Sequence, residues 1–110
     1  MKKLNRITEN DTFSLVIKTG KYLKNNTFKV YCLGNKLSYV RVGIAASKKL
    51  GNAVVRSTTR RKIRAICDLL IDYSRYSLDI VVVPKNIFLE QQHLTNKNEL
   101  GKLLEQIFKD

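Results

Sequence analysis

From Tyr39 to Arg64 the chain reads YVRVGIAASKKLGNAVVRSTTRRKIR. Its opening residues alternate: Val40, Val42, Ile44 and Ala46 make an apolar face, while Tyr39, Arg41, Gly43, Ala45 and Ser47 make a small, polar and basic one. A period of two specifies a strand, here Tyr39 to Ser47, with helices expected on its oily side only. Gly51-Asn52 ends that pattern and opens a helix expected to run from Ala53 to about Tyr73. Val55, Ile63, Ile66, Leu69, Leu70 and Tyr73 fall within one arc of it, and Arg56, Arg60 and Arg64 descend another side at i, i+4, i+8 with Arg61 beside them.

Outward from this stretch the punctuation is sparse. Toward the N-terminus, Thr27 to Leu33 alternates, with Phe28, Val30 and Cys32 opposed to Lys29, Tyr31 and Leu33, and Gly34-Asn35 reads as the turn of a hairpin whose second strand is Tyr39 to Ser47. Before it, Glu9 to Thr19 reads as a short helix capped by Asn10 or Asp11, lined by Phe13, Val16 and Ile17 and stopped by Gly20. Toward the C-terminus, Leu78 to Val83 is apolar on both faces, as in the centre of a sheet. Glu99 to Phe108 closes as a helix burying Leu100, Leu103, Leu104 and Ile107. The order is α, two or three strands, α, β, α, within a single domain spanning residues 1–110.

Charge indicates the partner. Twenty-one Lys and Arg against nine Asp and Glu leave +12 on 110 residues, 44% of which are hydrophobic, enough for one core. Such a charge repels itself and favours an anionic partner. It is also concentrated: from Arg41 to Arg64 no acid interrupts Arg41, Lys48, Lys49, Arg56, Arg60, Arg61, Lys62 and Arg64, and acids return only at Asp68, Asp72 and Asp79. A solvated helix face gains from pairing opposite charges four residues apart, and this one has no acid to pair with. Lysines ahead of a helix start, with arginine forks along it, suit phosphates and base edges. The segment therefore reads as a surface for RNA or DNA.

Catalysis by the chain alone is not encoded. His93 is the only histidine, lies in a polar stretch beside Gln91 and Gln92, and has no clustered Cys, Asp or Glu. Gly51 stands alone, without a phosphate-binding glycine pattern. Cys32 and Cys67 form no metal or redox motif and read as reduced, packed thiols. No stretch is long and apolar enough to span a bilayer, and Asn5 and Arg6 break Leu4 to Ile7 so that Lys2 and Lys3 introduce no signal peptide; a cytoplasmic location is expected, with neither a membrane nor a small-molecule substrate among the expected partners.

The central stretch resembles the protein subunit of bacterial ribonuclease P. Val42, Gly43, Ser47, Lys48, Lys49, Gly51, Ala53, Val54, Arg56, Arg60, Arg61 and Arg64 fit that family's pattern, as do the opening Asn5-Arg6, Phe13 and Gly20 and the leucine-rich closing helix. Two departures stand out: the family's Arg-Asn-Arg core reads Arg56-Ser57-Thr58, and Ile17 occupies the place of a second aromatic. The resemblance implies an α+β fold, a compact two-layer αβββαβα sandwich. Its mixed sheet would have one face covered by helices and a left-handed βαβ crossover, against the usual right-handed rule.

It further implies a protein cofactor for a ribozyme, whose RNA subunit, with bound magnesium, removes the 5′ leader of precursor tRNA. The protein itself would bind no cofactor. Its partners would be ribonuclease P RNA and precursor tRNA. The leader would lie in a cleft between the sheet and the first helix, against Phe13, Ile17, Lys29, Tyr31, Arg41, Gly43 and Ala45. The catalytic RNA would face Lys48, Lys49, Asn52, Arg56, Arg60, Arg61, Lys62 and Arg64. From the residues alone, Phe13 fits core packing, and Tyr31 fits either core or a stacking platform. A ribosomal or RNA-chaperone protein of related basic fold is the alternative function; a stand-alone nuclease lacks its acids and histidines, and a helix-turn-helix DNA module lacks its second helix.

Overall fold

A computed structural model describes residues 1–109. The elements run α1 (Asn10–Thr19), β1 (Lys21–Lys24), β2 (Phe28–Gly34), β3 (Arg41–Ile44), α2 (Ala53–Leu70), β4 (Leu78–Pro84) and α3 (His93–Ile107), with 3-10 turns at Lys3–Asn5, Lys48–Leu50 and Asn86–Glu90. This is the expected αβββαβα order and a mixed α+β sandwich. The sheet order is β1-β2-β4-β3; β4 pairs antiparallel with β2 and parallel with β3. Among the described residues no helix is long and apolar enough to cross a membrane.

The main core lies between the sheet and the α2–α3 layer. Phe28, Val30, Val42, Ile44, Ile80 and Val82 meet Ile63, Ile66, Cys67, Leu100, Leu103 and Leu104 there. These are the alternate strand positions and one stripe of each helix, as periodicity requires. β4 is central because it is apolar on both sides: Ile80, Val81 and Val82 are all fully buried. Its Val81 belongs to a second, smaller cluster with Ile7 and Val16 on the opposite face.

That second cluster corrects the expectation of a face free of helices. α1 packs across it, seating Val16 among Ile7 and Val81, because Phe13 and Val16 need an apolar partner and the small residues of β3 give room. Gly20, at the end of α1, lies so close to β2 that a β-carbon there would come within 2.7 Å of the Cys32 carbonyl oxygen.

The expected hairpin from β2 into β3 does not form. β4 lies between them, and the Gly34-Asn35 turn instead starts a loop organised by Asn35. Its Nδ2 donates to Asp79 Oδ1 (2.8 Å) and the Tyr39 carbonyl (3.3 Å), and its Oδ1 accepts from the Leu37 N–H (2.9 Å). The hairpin that does form joins β1 to β2, turned by Asn25, whose Oδ1 accepts from the N–H groups of both Thr27 and Phe28. The strand expected over Tyr39 to Ser47 shortens to β3, since the Val40 N–H bonds the Tyr73 carbonyl and Lys48–Leu50 winds into a turn.

Helix boundaries also move. Glu9, not Asn10 or Asp11, occupies the N-cap position of α1. α2 ends at Leu70 rather than Tyr73, leaving Leu69 and Leu70 exposed at its tip. α3 begins at His93, six residues before the expected Glu99. Its first turns are polar and so carry no hydrophobic period, yet Asn96 is buried there and its Nδ2 donates to the Phe88 carbonyl at 3.1 Å.

Candidate nucleic-acid interface

Register sorts the α1 side of the sheet into rows. Tyr22, Tyr31, Val81 and Gly43 are mutually paired across β1, β2, β4 and β3. Leu33, Asp79 and Arg41 form the row on one side of them. On the other side Lys24 pairs with Lys29 and Lys29 with Val83, and Ala45 follows Ile44, the partner of Val82. Accessibility climbs in that direction. Val81 and Gly43 are buried, Val83 and Ala45 are half-buried, and Lys24 and Lys29 are exposed. α1 therefore roofs the middle of the face and leaves the Lys24–Lys29–Val83–Ala45 row open, with Phe13, half-buried, and Ile17, exposed, on the helix beside it.

Tyr31 lies at the edge of this open strip, half-buried, and stacks on Tyr22 with ring centroids 5.0 Å apart and planes 27° from parallel. Paired rings beside two lysines make an aromatic platform bordered by positive charge. Tyr22 and Lys24 were invisible in the sequence reading, because the four residues of β1 are too few to show a period. The signal available was the alternation of Tyr22 and Lys24 with Leu23, which packs against the main core.

Two expected members of the cleft have other work. Arg41 is committed to Asp79: Nε donates to Oδ1 at 2.9 Å and Nη2 to Oδ2 at 2.7 Å, closing a bidentate pair with Asp79 almost fully buried. The hydrogen bond to Asp79 pushes the Arg41 guanidinium above its ordinary pKa, burial opposing. Gly43 is not an open floor, because the Phe13 ring lies on it. A β-carbon at position 43 would fall 2.5 and 2.6 Å from two ring carbons of Phe13 and 3.1 Å from Ile7 Cβ. The small-residue face of β3 thus serves α1 packing at Gly43 and stays accessible at Ala45.

The basic face forms around α2. Asn52 caps it, Oδ1 accepting from the Val55 N–H at 3.0 Å, which occupies its amide oxygen and leaves the exposed Nδ2 available. Lys48 and Lys49 are exposed on the turn just before it, anchored by buried Leu50. Arg56 reaches back to the Gly51 carbonyl (Nη1 to O, 3.3 Å). Arg60 and Arg64 are half-buried, and Arg61 and Lys62 are exposed. Burial first, then the charges of Arg6 and Arg60, lower the Arg64 pKa from its ordinary value. Among the described residues the side-chain ion pairs are Arg41–Asp79 and Lys102–Glu99, so none of the α2 cations has an acidic partner. Ser57 and Thr58 point to different places: Ser57 borders a cleft with Arg6 and Arg64, and Thr58 borders a groove with Leu89 and His93.

The remaining candidates do not assemble a reactive centre. His93 is exposed on the first turn of α3. Burial pushes the Cys67 thiol up to about 12 and raises that of Cys32 as well, so both are held as thiols.

Comparison with known proteins gives the family and agrees with the fold. The family model described as Ribonuclease P matches residues 1–108. The chain is 34% identical to the ribonuclease P protein component of Mesoplasma florum, over 99% of this chain and 100% of the relative. It is 38% identical to that of Bacillus mycoides, over 99% and 92% respectively. Among solved structures, the Staphylococcus aureus RNase P protein superposes with a TM-score of 0.83 at 32% identity, covering 94% of this chain and 95% of that one. The Thermotoga maritima RNase P protein gives 0.80 at 30% identity, covering 92% and 96%.

Proposed function

The chain belongs to the family of ribonuclease P protein components, and we propose that within this tRNA-processing enzyme it binds the RNA subunit through α2 and the 5′ leader of precursor tRNA along the open strip of the sheet. The observation that carries the reading is the unpaired cationic face of α2, lying apart from an aromatic strip bordered by lysines. RNA phosphates neutralise the first, and unpaired bases stack on the second. Hydrolysis then belongs to the RNA subunit and the magnesium it binds, in the cytoplasm. The protein raises substrate affinity and helps hold the RNA in its active fold.

On this reading leader contacts come from Tyr31, Tyr22, Lys24, Lys29 and Ala45, with Phe13 and Ile17 on the bordering helix. Contacts to the RNA subunit come from Lys48, Lys49, Arg56, Arg60, Arg61, Lys62 and Arg64. A cleavage assay at low magnesium tests the division of labour. Precursor tRNA should stay intact with protein alone, be cleaved slowly by the RNA subunit, and be cleaved much faster with both. Comparable cleavage by RNA-free protein would overturn it.

A further inference from the structure

Arg6 lies outside the basic stretch of sequence, yet the fold brings it to the flank of α2. Its backbone is fixed: Arg6 bridges in parallel to Val42, the Ile7 N–H donates to the Val42 carbonyl at 3.0 Å, and buried Asn5 donates from Nδ2 to the Val40 carbonyl at 2.9 Å. From this anchored segment the exposed Arg6 side chain reaches a cleft of about 470 Å³ that it shares with Ser57, Arg61 and Arg64. Those three sit at i, i+4 and i+7 on one side of the helix. Among the described residues the Arg6 side chain makes one weak hydrogen bond, from Nη2 to the Met1 carbonyl at 3.5 Å.

Like charges are held together here. Arg6 and Arg60 both oppose the charge on half-buried Arg64. The one acid bordering the cleft, Asp68, accepts from the Met1 amino group, which also borders the cleft, and, at 2.8 Å, from the Tyr73 hydroxyl, and the charge of Arg6 acts on it more weakly. Guanidiniums that outnumber the single acid, already paired with an ammonium, beside a hydroxyl donor, are complementary to a tetrahedral anion. We propose that this cleft seats one backbone phosphate of the RNA subunit, gripped from two sides by Arg6 and Arg64 with Ser57 donating to the same group. The inference rests on the proposed RNA binding and adds to it a residue outside α2 and a definite stoichiometry: two arginines, one phosphate.

The test is the salt dependence of affinity for a ribonuclease P RNA transcript, measured by fluorescence anisotropy from 50 to 200 mM KCl. The full-length proteins compared are wild type, Arg6→Ala, Arg64→Gln, the double variant, Arg6→Lys and, as control, Lys36→Ala, an exposed residue between β2 and β3 that does not border the cleft. Losing one phosphate contact lowers the log–log slope by roughly 0.7–0.9, so the advantage of wild type over variant shrinks about threefold across that range. Each single variant should lose about this much. The double variant should lose no more in total, because both arginines hold one phosphate. Arg6→Lys should keep most of the slope and Lys36→Ala the share expected of an uninvolved residue. Thermal melts in each variant check that the fold survives. A steep wild-type slope unaltered by Arg6→Ala overturns the seat and leaves RNA binding standing; so do strictly additive losses, which mean two phosphates. A flat wild-type slope overturns RNA binding itself. If 20 mM inorganic phosphate raises the melting temperature of wild type but not Arg6→Ala, while RNA slopes are equal, the seat serves free phosphate and the RNA assignment fails.

Discussion

Replacing Arg41 with alanine separates the two roles that an arginine on this sheet face could have. Its pair with Asp79 comprises two charge-assisted hydrogen bonds of 2.9 and 2.7 Å, with Asp79 8% exposed and Arg41 27%. Removing one partner of a buried pair costs about 3–5 kcal/mol, because the other charge is left desolvated. Two features reduce that figure. Arg41 is accessible enough for water to replace its head group, and Asn35 Nδ2 still donates to Asp79 Oδ1 at 2.8 Å. The expected loss is therefore about 2–3 kcal/mol, or roughly 10 °C in Tm for a chain of this size. Urea unfolding at neutral pH measures it. The double variant Arg41→Met with Asp79→Leu should recover most of the loss, since an apolar pair of similar volume avoids the desolvation altogether. Precursor-tRNA affinity, measured at a temperature where both proteins are folded, should change less than threefold. A variant that melts like wild type but binds precursor tRNA tenfold more weakly would refute the argument and return Arg41 to the leader site.

Three further outcomes follow from the same geometry. Gly43→Ala should destabilise by about 1–3 kcal/mol, because its β-carbon needs the space of the Phe13 ring; the double variant Gly43→Ala with Phe13→Leu should regain part of this in parallel melts. Tyr31→Ala should cost about 1–3 kcal/mol in holoenzyme affinity for precursor tRNA and almost nothing for mature tRNA, measured side by side; an equal fall in both would assign Tyr31 to folding alone. Cys67, with a thiol raised to about 12 by burial, contributes stability that is complete below its unfolded value near 9 and is lost as pH rises from there toward 12, at up to about 1.4 kcal/mol per pH unit. Cys67→Ala should flatten that alkaline decline in urea midpoints, and iodoacetamide at pH 8 should leave Cys67 unmodified until the protein unfolds.

What was legible in the sequence depended on length and repetition. α2 and β2 are long enough to show a period, which marks their buried faces, Leu69 and Leu70 at the exposed end of α2 excepted; β4 shows no period and is legible because it is apolar on both faces. β1 was missed because four residues with two lysines look like a loop until a neighbour pairs with them. The β2–β3 hairpin was misread because a turn signal fixes a change of direction and says nothing of the partner. Only the two-sided burial of β4 decides who sits in the middle. In the candidate site, the cationic face of α2 is legible because one helix carries Arg56, Arg60, Arg61 and Arg64. The roles of Arg41 and Gly43 were not, because Asp79 and Phe13 are far away in sequence and meet them only through the sheet. Arg6 escaped for the same reason, being brought to α2 by its bridge to Val42.

The strand that completes the sheet is made late. β2 and β3 do not pair with each other, and only β4, residues Leu78–Pro84, joins β3 to the β1–β2 hairpin. A ribosome that has released everything up to Ser77 has released one small hairpin, two helices without a floor and an unpaired β3. All seven arginines emerge in that interval, attached to a chain that cannot yet bury Ile63, Ile66 or Val42. Until β4 is made the chain is expected to remain an open polycation, its sheet completed in one late step when β4 enters between β2 and β3. Folding of this kind is slow and non-local. A stalled chain ending before Leu78 should be protease-sensitive throughout, and one extended past α3 should be resistant.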